Sequence, residues 1–245
     1  MKSLFISLVT IASVLVGTYA LPAATDDASV ALLLTAATQV ERVSLLNDTD
    51  FVFDFFHPNA SAITGTGLDG KIVTAKRDTM PALTDNGIAL SVGYLGPCGL
   101  NTPHIHPRAT EFNFAVNGTL RTGFIQENDA RFIMNTVYPG QAALFPQGAI
   151  HFEMNLGCEP IIFVAAFSFE DPGTTSLANN FLNLPDDIVS ATLGQIGVQN
   201  VDGLAAAVPK NVVFGVEQCL KMCNLTIPTN SSTPSDFGPP PNPGS

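Results

Sequence analysis

Residues 101–111 read Asn101-Thr-Pro-His104-Ile-His106-Pro-Arg-Ala-Thr-Glu111, and residues 146–151 read Pro146-Gln-Gly148-Ala-Ile-His151. Three of the chain's four histidines fall in these two stretches. In an extended strand, side chains at i and i+2 point to the same face. His104 and His106 therefore aim two imidazoles at one point, and Glu111 follows five residues later. Neutral imidazole and carboxylate are ligands of first-row divalent metals, so His104, His106, Glu111 and His151 form a candidate cage for one ion. The competing reading makes them scattered strand residues with satisfied hydrogen bonds. A His-x-His step with an acid nearby, in a chain this poor in histidine, favours the metal.

Outward from these stretches the chain breaks into short segments separated by Gly, Pro and Asn turns. Candidate strands occupy residues 89–95, 111–116, 119–126, 131–137, 141–145, 150–155 and 161–168. Many short strands at this spacing predict an all-β sandwich or closed barrel. The constellation occurs once and no internal repeat is visible, so a single barrel is expected. Ahead of it, residues 26–46 carry apolar residues at helical spacing, and residues 51–56 form an aromatic extended run. Behind it, short helices are expected at 186–193, 202–208 and 213–223. The expected division is a signal peptide at 1–20, an N-terminal extension with a helix at 21–70, the barrel at 71–175, a helical segment at 176–225, and a Pro/Ser/Thr-rich tail at 226–245.

Composition bounds the function. The chain has 245 residues, 46% hydrophobic and only 13% charged, which suits a well-buried β-rich core. Lys2, the apolar run 4–16 and Thr18-Tyr-Ala20 read as a secretory signal, too short for a membrane span. No later transmembrane helix or lipid-anchor tail is expected. Losing Lys2 moves the formal charge from −11 to −12, which argues against nucleic acid and anionic membranes as partners. Sequons begin at Asn47, Asn59, Asn117, Asn224 and Asn230, and together with the signal imply a secreted, extracellular glycoprotein. Four cysteines fit an oxidising compartment and allow three pairings. Cys98 and Cys158 lie in Gly-containing turns beside the metal segments, so Cys98–Cys158 with Cys219–Cys223 is the favoured set. The second pair would need a distorted helix.

Written as a pattern, Gly140-x5-Pro146-x-Gly148-x2-His151-x3-Asn155 resembles the second signature of the cupin superfamily at every fixed position. The first signature is matched from His104 through His106 and Glu111 to Gly118, with Cys98 where its opening glycine usually stands. The phrase 101–111 is closer still to germin-like proteins, especially their spherulin-like branch. The resemblance implies a double-stranded β-helix, or jelly-roll, barrel with C-terminal helices that often mediate oligomers. It also implies that His104, His106, Glu111 and His151 bind one metal, commonly manganese (Mn2+). Within the family, oxalate oxidases use an asparagine matched here by Asn101 and a second one that falls on Ser91. The N-terminal cysteine pair of plant germins is absent.

With one carboxylate, a divalent centre has a formal charge of about +1 and, for an ion of about six positions, two sites for small ligands. A small anionic ligand is then expected despite the acidic chain. Glu153, two residues beyond His151, faces the same side and is a candidate catalytic acid or base, unless the strand there has reached a solvated rim. Asn101 is the candidate ligand-orienting residue. His57 is read as structural, Asn155 as a turn support and Arg108 as a maker of local ion pairs. Phe112, Phe114, Phe145 and Phe152 are read as core or subunit-contact residues, and a homo-oligomer is expected. Two functions follow: a manganese-dependent oxidoreductase on a small carboxylate or superoxide, or a non-catalytic wall, spore or encystment glycoprotein. A sugar-binding module fits less well, since it leaves the metal unexplained and the chain has no Trp.

Overall fold

The computed structural model describes residues 26–194 and 201–226. It opens with α1 (Asp26–Thr35) and α2 (Gln39–Ser44), where one helix over 26–46 was predicted. The break falls at Thr38. Its hydroxyl accepts from the Glu41 N–H, and the Glu41 carboxylate accepts from the Thr38 N–H, a reciprocal cap that starts a new helix. The aromatic run 51–56 is not a strand; a 3-10 turn at Asp48–Phe51 leads into irregular chain.

Ten strands follow: β1 (Ile63–Gly67), β2 (Gly70–Ala75), β3 (Ala89–Leu95), β4 (Gly99–Ile105), β5 (Glu111–Asn117), β6 (Leu120–Ile125), β7 (Ile133–Val137), β8 (Ala142–Phe145), β9 (Ile150–Asn155) and β10 (Ile161–Phe167). The C-terminal part adds β11 (Thr175–Ser176), α3 (Leu177–Leu182), α4 (Asp186–Thr192), α5 (Val201–Ala207), β12 (Val213–Phe214) and α6 (Glu217–Met222). One antiparallel sheet runs β1-β2-β3-β10-β5-β8 and the other β11-β4-β9-β6-β7, with β12 on β4. This is the expected double-sheet jelly roll, and its pairing begins at Ile63. Among the described residues no helix is long and apolar enough to cross a membrane.

Strict alternation sends one set of side chains into the gap between the sheets. On β3 the buried positions are Ala89, Ser91, Gly93 and Leu95; on β5 they are Glu111, Asn113 and Ala115. Phe145, Phe163, Leu95 and Leu120 fill the gap, each stabilising the fold by about 2 kcal/mol through burial. Phe112 and Phe114 take the opposite parity and lie exposed on the outer face of the first sheet, whereas Phe145 is core.

The disulfides differ from the favoured pairing. Cys98 joins Cys219, and Cys158 joins Cys223, with Cα–Cα distances of 5.8 and 5.2 Å. The turns carrying Cys98 and Cys158 lie side by side, for the Cys98 N–H donates to the Gly157 carbonyl. Cys219 and Cys223 stand one helical turn apart at the end of α6, so both sulfurs face those turns and each takes its own partner. Cys98 has φ +56, in the left-handed region glycine favours, which accounts for a glycine at this place in the family pattern. Peptide mapping of the unreduced protein should recover Cys98 linked to Cys219 and Cys158 linked to Cys223. Replacing Cys158 and Cys223 together by serine frees a loop of 65 residues and should lower unfolding stability in urea by roughly 2–4 kcal/mol.

Candidate metal centre

His104 comes from the end of β4, His106 from the residue just past it, His151 from β9 and Glu111 from β5, so the group spans both sheets. All four are buried, and one ligand atom from each lies within 4.8 Å of the others. Backbone carbonyls fix the rings. His104 Nδ1 donates to Thr102 O at 2.7 Å, His106 Nδ1 to Gly173 O at 2.5 Å and His151 Nδ1 to Ala149 O at 2.9 Å. A carbonyl only accepts, so Nδ1 carries the proton, and Nε2 of each neutral ring is a lone pair.

Two of those lone pairs meet a carboxylate oxygen: Glu111 Oε2 lies 3.1 Å from His106 Nε2 and 3.0 Å from His151 Nε2. Acceptors facing acceptors in a buried site require a positive charge between them. Burial, reinforced by His151 and His106, lowers the His104 pKa to about 3, so that ring stays neutral. Burial works against the charge on Glu111, but positive charge at the facing His106 and His151 nitrogens, supplied by a proton or by an ion in its place, outweighs it and holds the carboxyl below its usual range. Three neutral imidazoles and one carboxylate, already oriented, are a donor set that fits a divalent ion.

A one-residue irregularity in β4 completes the site. Asn101 pairs with Glu153 and His104 with His151, so β4 takes three steps where β9 takes two. This bulge at Thr102–Pro103 lets Asn101 face inward together with His104, against plain alternation. Pro103 suits the place because it has no N–H to pair. The Thr102 N–H, displaced from the ladder, donates to Asn211 Oδ1 at 2.8 Å. That bond fixes the Asn211 amide, whose Nδ2 donates to Asn101 Oδ1; Asn101 Nδ2 in turn donates to Glu153 Oε2 at 2.7 Å. Asn113 Nδ2 bridges Glu111 Oε1 at 3.1 Å and Glu153 Oε1 at 3.3 Å.

Glu153 is fully buried, which removes the solvated-rim reading. Burial first, and the Glu111 charge next, push its carboxyl well above the usual range. The two shifts run in opposite directions, favouring the charge on Glu111 and the proton on Glu153. Beside the ligands is a cavity of about 60 Å³ lined by Asn101, Ser91, Thr74, Thr64, Phe163 and Phe167, among others. Ser91 bonds Thr74 hydroxyl to hydroxyl at 2.7 Å. Phe145 stacks on His151 with centroids 4.6 Å apart, and Phe167 meets His106 edge-on at 4.7 Å.

The sequence pattern of the family described as cupin matches residues 56–200. The chain belongs to the cupin family. Spherulin-1A of Physarum polycephalum is 44% identical over 197 residues, covering 80% of this cupin and 79% of the relative. Germin-like protein 5-1 of Oryza sativa subsp. japonica is 33% identical over 177 residues, covering 69% and 78%. A solved oxalate oxidase in complex with the substrate analogue glycolate superposes with a TM-score of 0.58 at 22% identity, covering 65% of this chain and 81% of that one, a likeness of fold. This is a germin-like cupin.

The other residues singled out from sequence have local partners. Asn155 ties the β9–β10 turn, donating to Gly96 O and Glu159 O and accepting from the Gly157 N–H, each at 2.8 Å. Arg108 pairs with Asp171 at 2.9 Å, and exposed His57 with Asp54 at 2.9 Å. Asn113 and Asn211 were not foreseen. Asn113 has a signal, two residues after Glu111 on one strand face; Asn211 has none, lying 110 residues from Asn101. Asn211→Ala leaves the Thr102 N–H and Asn101 Oδ1 without partners in a half-buried to buried setting. It should lower stability by about 2 kcal/mol, read as the shift in urea midpoint at matched metal content; an unchanged midpoint would contradict the hydrogen-bond chain described.

Proposed function

We propose that this germin-like cupin is a secreted manganese-binding oxidoreductase acting on a small anionic ligand, an oxalate-type carboxylate or superoxide. The observation that carries the reading is the small cavity, its wall part polar (Thr64, Thr74, Ser91, Asn101) and part apolar (Phe163, Phe167), set against a ready-made three-histidine, one-carboxylate donor set. At about 60 Å³ it has room for roughly four to six waters' worth of atoms, enough for a two-carbon acid and too little for a sugar ring. His104, His106, Glu111 and His151 hold the ion, which when bound supplies Lewis acidity and vacant positions for the ligand. Manganese is proposed from the family resemblance, because the donor set alone also suits other first-row ions.

The chain's own groups do the rest. Asn101 gives one amide hydrogen to Glu153 and has a second for a ligand oxygen in the cavity. The Ser91–Thr74 hydroxyl pair keeps that wall polar where oxalate oxidases have an amide. Glu153 does not line the cavity; its assignment as the acid or base is supported by its burial beside Glu111 and by its bond to the Asn101 amide, which does. Glu153→Gln should keep the metal content and lower kcat by roughly 10²-fold or more; full activity at full occupancy would remove the role.

A second reading makes the protein a matrix glycoprotein whose metal mainly ties the two sheets together. It is favoured by the sequons at Asn47, Asn59, Asn117 and Asn224, all exposed; Asn230 lies outside the described residues. Metal analysis of the purified protein with oxalate and superoxide assays separates the two. Bound manganese with turnover supports the enzyme, and bound manganese without turnover the matrix role. In either case, removing the metal by chelation should lower stability by about 4 kcal/mol if the ion is present at a thousandfold over its Kd. His104→Ala should abolish that difference. No bound metal, and no loss of stability in His104→Ala, would refute the centre.

A further inference from the structure

Thr64 and Asn211 line the metal cavity and also line a groove of about 870 Å³ on the outside of the barrel. We infer that this groove is the route by which small anions reach the four ligands, and that Lys210 on its wall is the cation that draws them in. The inference rests on the proposed function for the site, that an anion binds at the metal.

The seam between cavity and groove lies where edge strand β1 meets the segment between α5 and β12. At Gly65, φ is +78, and a β-carbon there would come within 2.9 Å of the Val212 nitrogen. The two backbones therefore touch, yet no backbone hydrogen bond joins β1 to this segment among the described residues. Thr64, beside that contact, is exposed on one side and reaches the cavity on the other. Asn211 stands across from it, its amide held by the Thr102 N–H and Asn101. Elsewhere the ligands are walled in: Phe145 stacks on His151, Phe167 packs on His106, and hydrogen-bonded strands close both sheets.

Charge gives the groove its selectivity. The chain carries a net −11, which repels anions at long range. No other Lys or Arg is among the described residues that line the groove; nearby, Arg77 and Arg108 pair with Asp171, Lys76 with Asp78, and Lys71 lies over Tyr94. Lys210 is exposed, and no carboxylate lies within ion-pair distance of it among the described residues. It shares the groove with one acid, Asp69, and with the neutral side chains of Ser176, Asn179 and Asn183. At physiological salt a charge acts over about 8 Å, so a single cation on the wall governs encounter locally even on an acidic surface.

All four cysteines are in disulfides, so Thr64→Cys introduces one reactive thiol that is modified after folding. The probe is azide, a small anionic metal ligand, followed by electron paramagnetic resonance of the manganese-loaded protein and by rapid mixing. A bulky neutral thiol reagent on Thr64→Cys should slow azide binding at least tenfold relative to the same variant unlabelled, at unchanged metal content. Lys210→Gln should slow it about two- to fivefold at low salt, with the effect lost near 0.5 M salt, where screening is nearly complete. Equal rates with and without the label, or a Lys210→Gln rate equal to wild type at low salt, would overturn the inference. Oxalate is run in parallel. If azide enters and is blocked by the label while oxalate never perturbs the signal, the carboxylate reading fails and the route stands.

Discussion

The extra residue in β4 is the constraint from which the site is built. Two strands that alternate regularly cannot present Asn101 and His104 to the same interior, because the residues differ by an odd number of steps. The bulge at Thr102–Pro103 changes the parity, placing Asn101 opposite Glu153 and His104 opposite His151. It also displaces both backbone groups of Thr102 from the ladder. The carbonyl accepts from His104 and sets that ring's lone pair inward, while the N–H is taken by Asn211. One local irregularity thus orients a metal ligand on one side and the amide chain to Glu153 on the other.

That arrangement needs the C-terminal segment to return to the barrel, and covalent bonds hold it there. β12 pairs with β4 at Leu100 and Gly99, immediately before the bulge, and the Gly215 N–H donates to the Cys98 carbonyl. Both disulfides then clamp α6 across the turns that begin β4 and end β9. Asn211 sits just ahead of this anchorage. Its amide is placed by contacts that the disulfides keep from drifting in the native state and that they also favour by restricting the unfolded chain. A cysteine in the left-handed conformation at residue 98, where about 1–2 kcal/mol is lost relative to glycine, is explained by this clamp.

What could be read in the sequence is what depends on local geometry. His-x-His aims two rings together on any strand, and His151, Glu153 and Asn155 share a face by the same rule, as the burial of all three bears out. The two signatures carried the fold because their glycines and prolines mark turns that fix strand lengths. The bulge was hidden because register belongs to a pair of strands, and only Pro103 hints at it. The disulfide set was hidden because it turns on where α6 docks, not on spacing. Strands β1 and β2 carry Gly and Thr where apolar alternation would be sought, and their strand character comes from pairing with β3. Asn211 is the extreme case, a polar residue after a short helix whose contacts with Thr102 and Asn101 are made only in three dimensions.

The two carboxyls in one dry space set the chemistry open to the centre. Glu111 and Glu153 are linked through the single amide of Asn113, and both are sealed from solvent. Two negative charges cannot both be sustained there, since each ion buried without compensation is disfavoured by several kcal/mol. The histidines decide which one ionises: positive charge among them favours the ionised form of Glu111, while burial and the Glu111 charge favour the protonated form of Glu153, outweighing the Asn101 and Asn113 amides, which donate to it and act the other way. The asymmetry is imposed by the fold, because Glu111 enters from the first sheet into the three rings while Glu153 sits one pleat further along β9. Under the proposed function, a small anion in the cavity would meet the ion and the Asn101 amide, with Glu153 behind that amide rather than on the cavity wall. Ligands too large for the cavity meet only its rim.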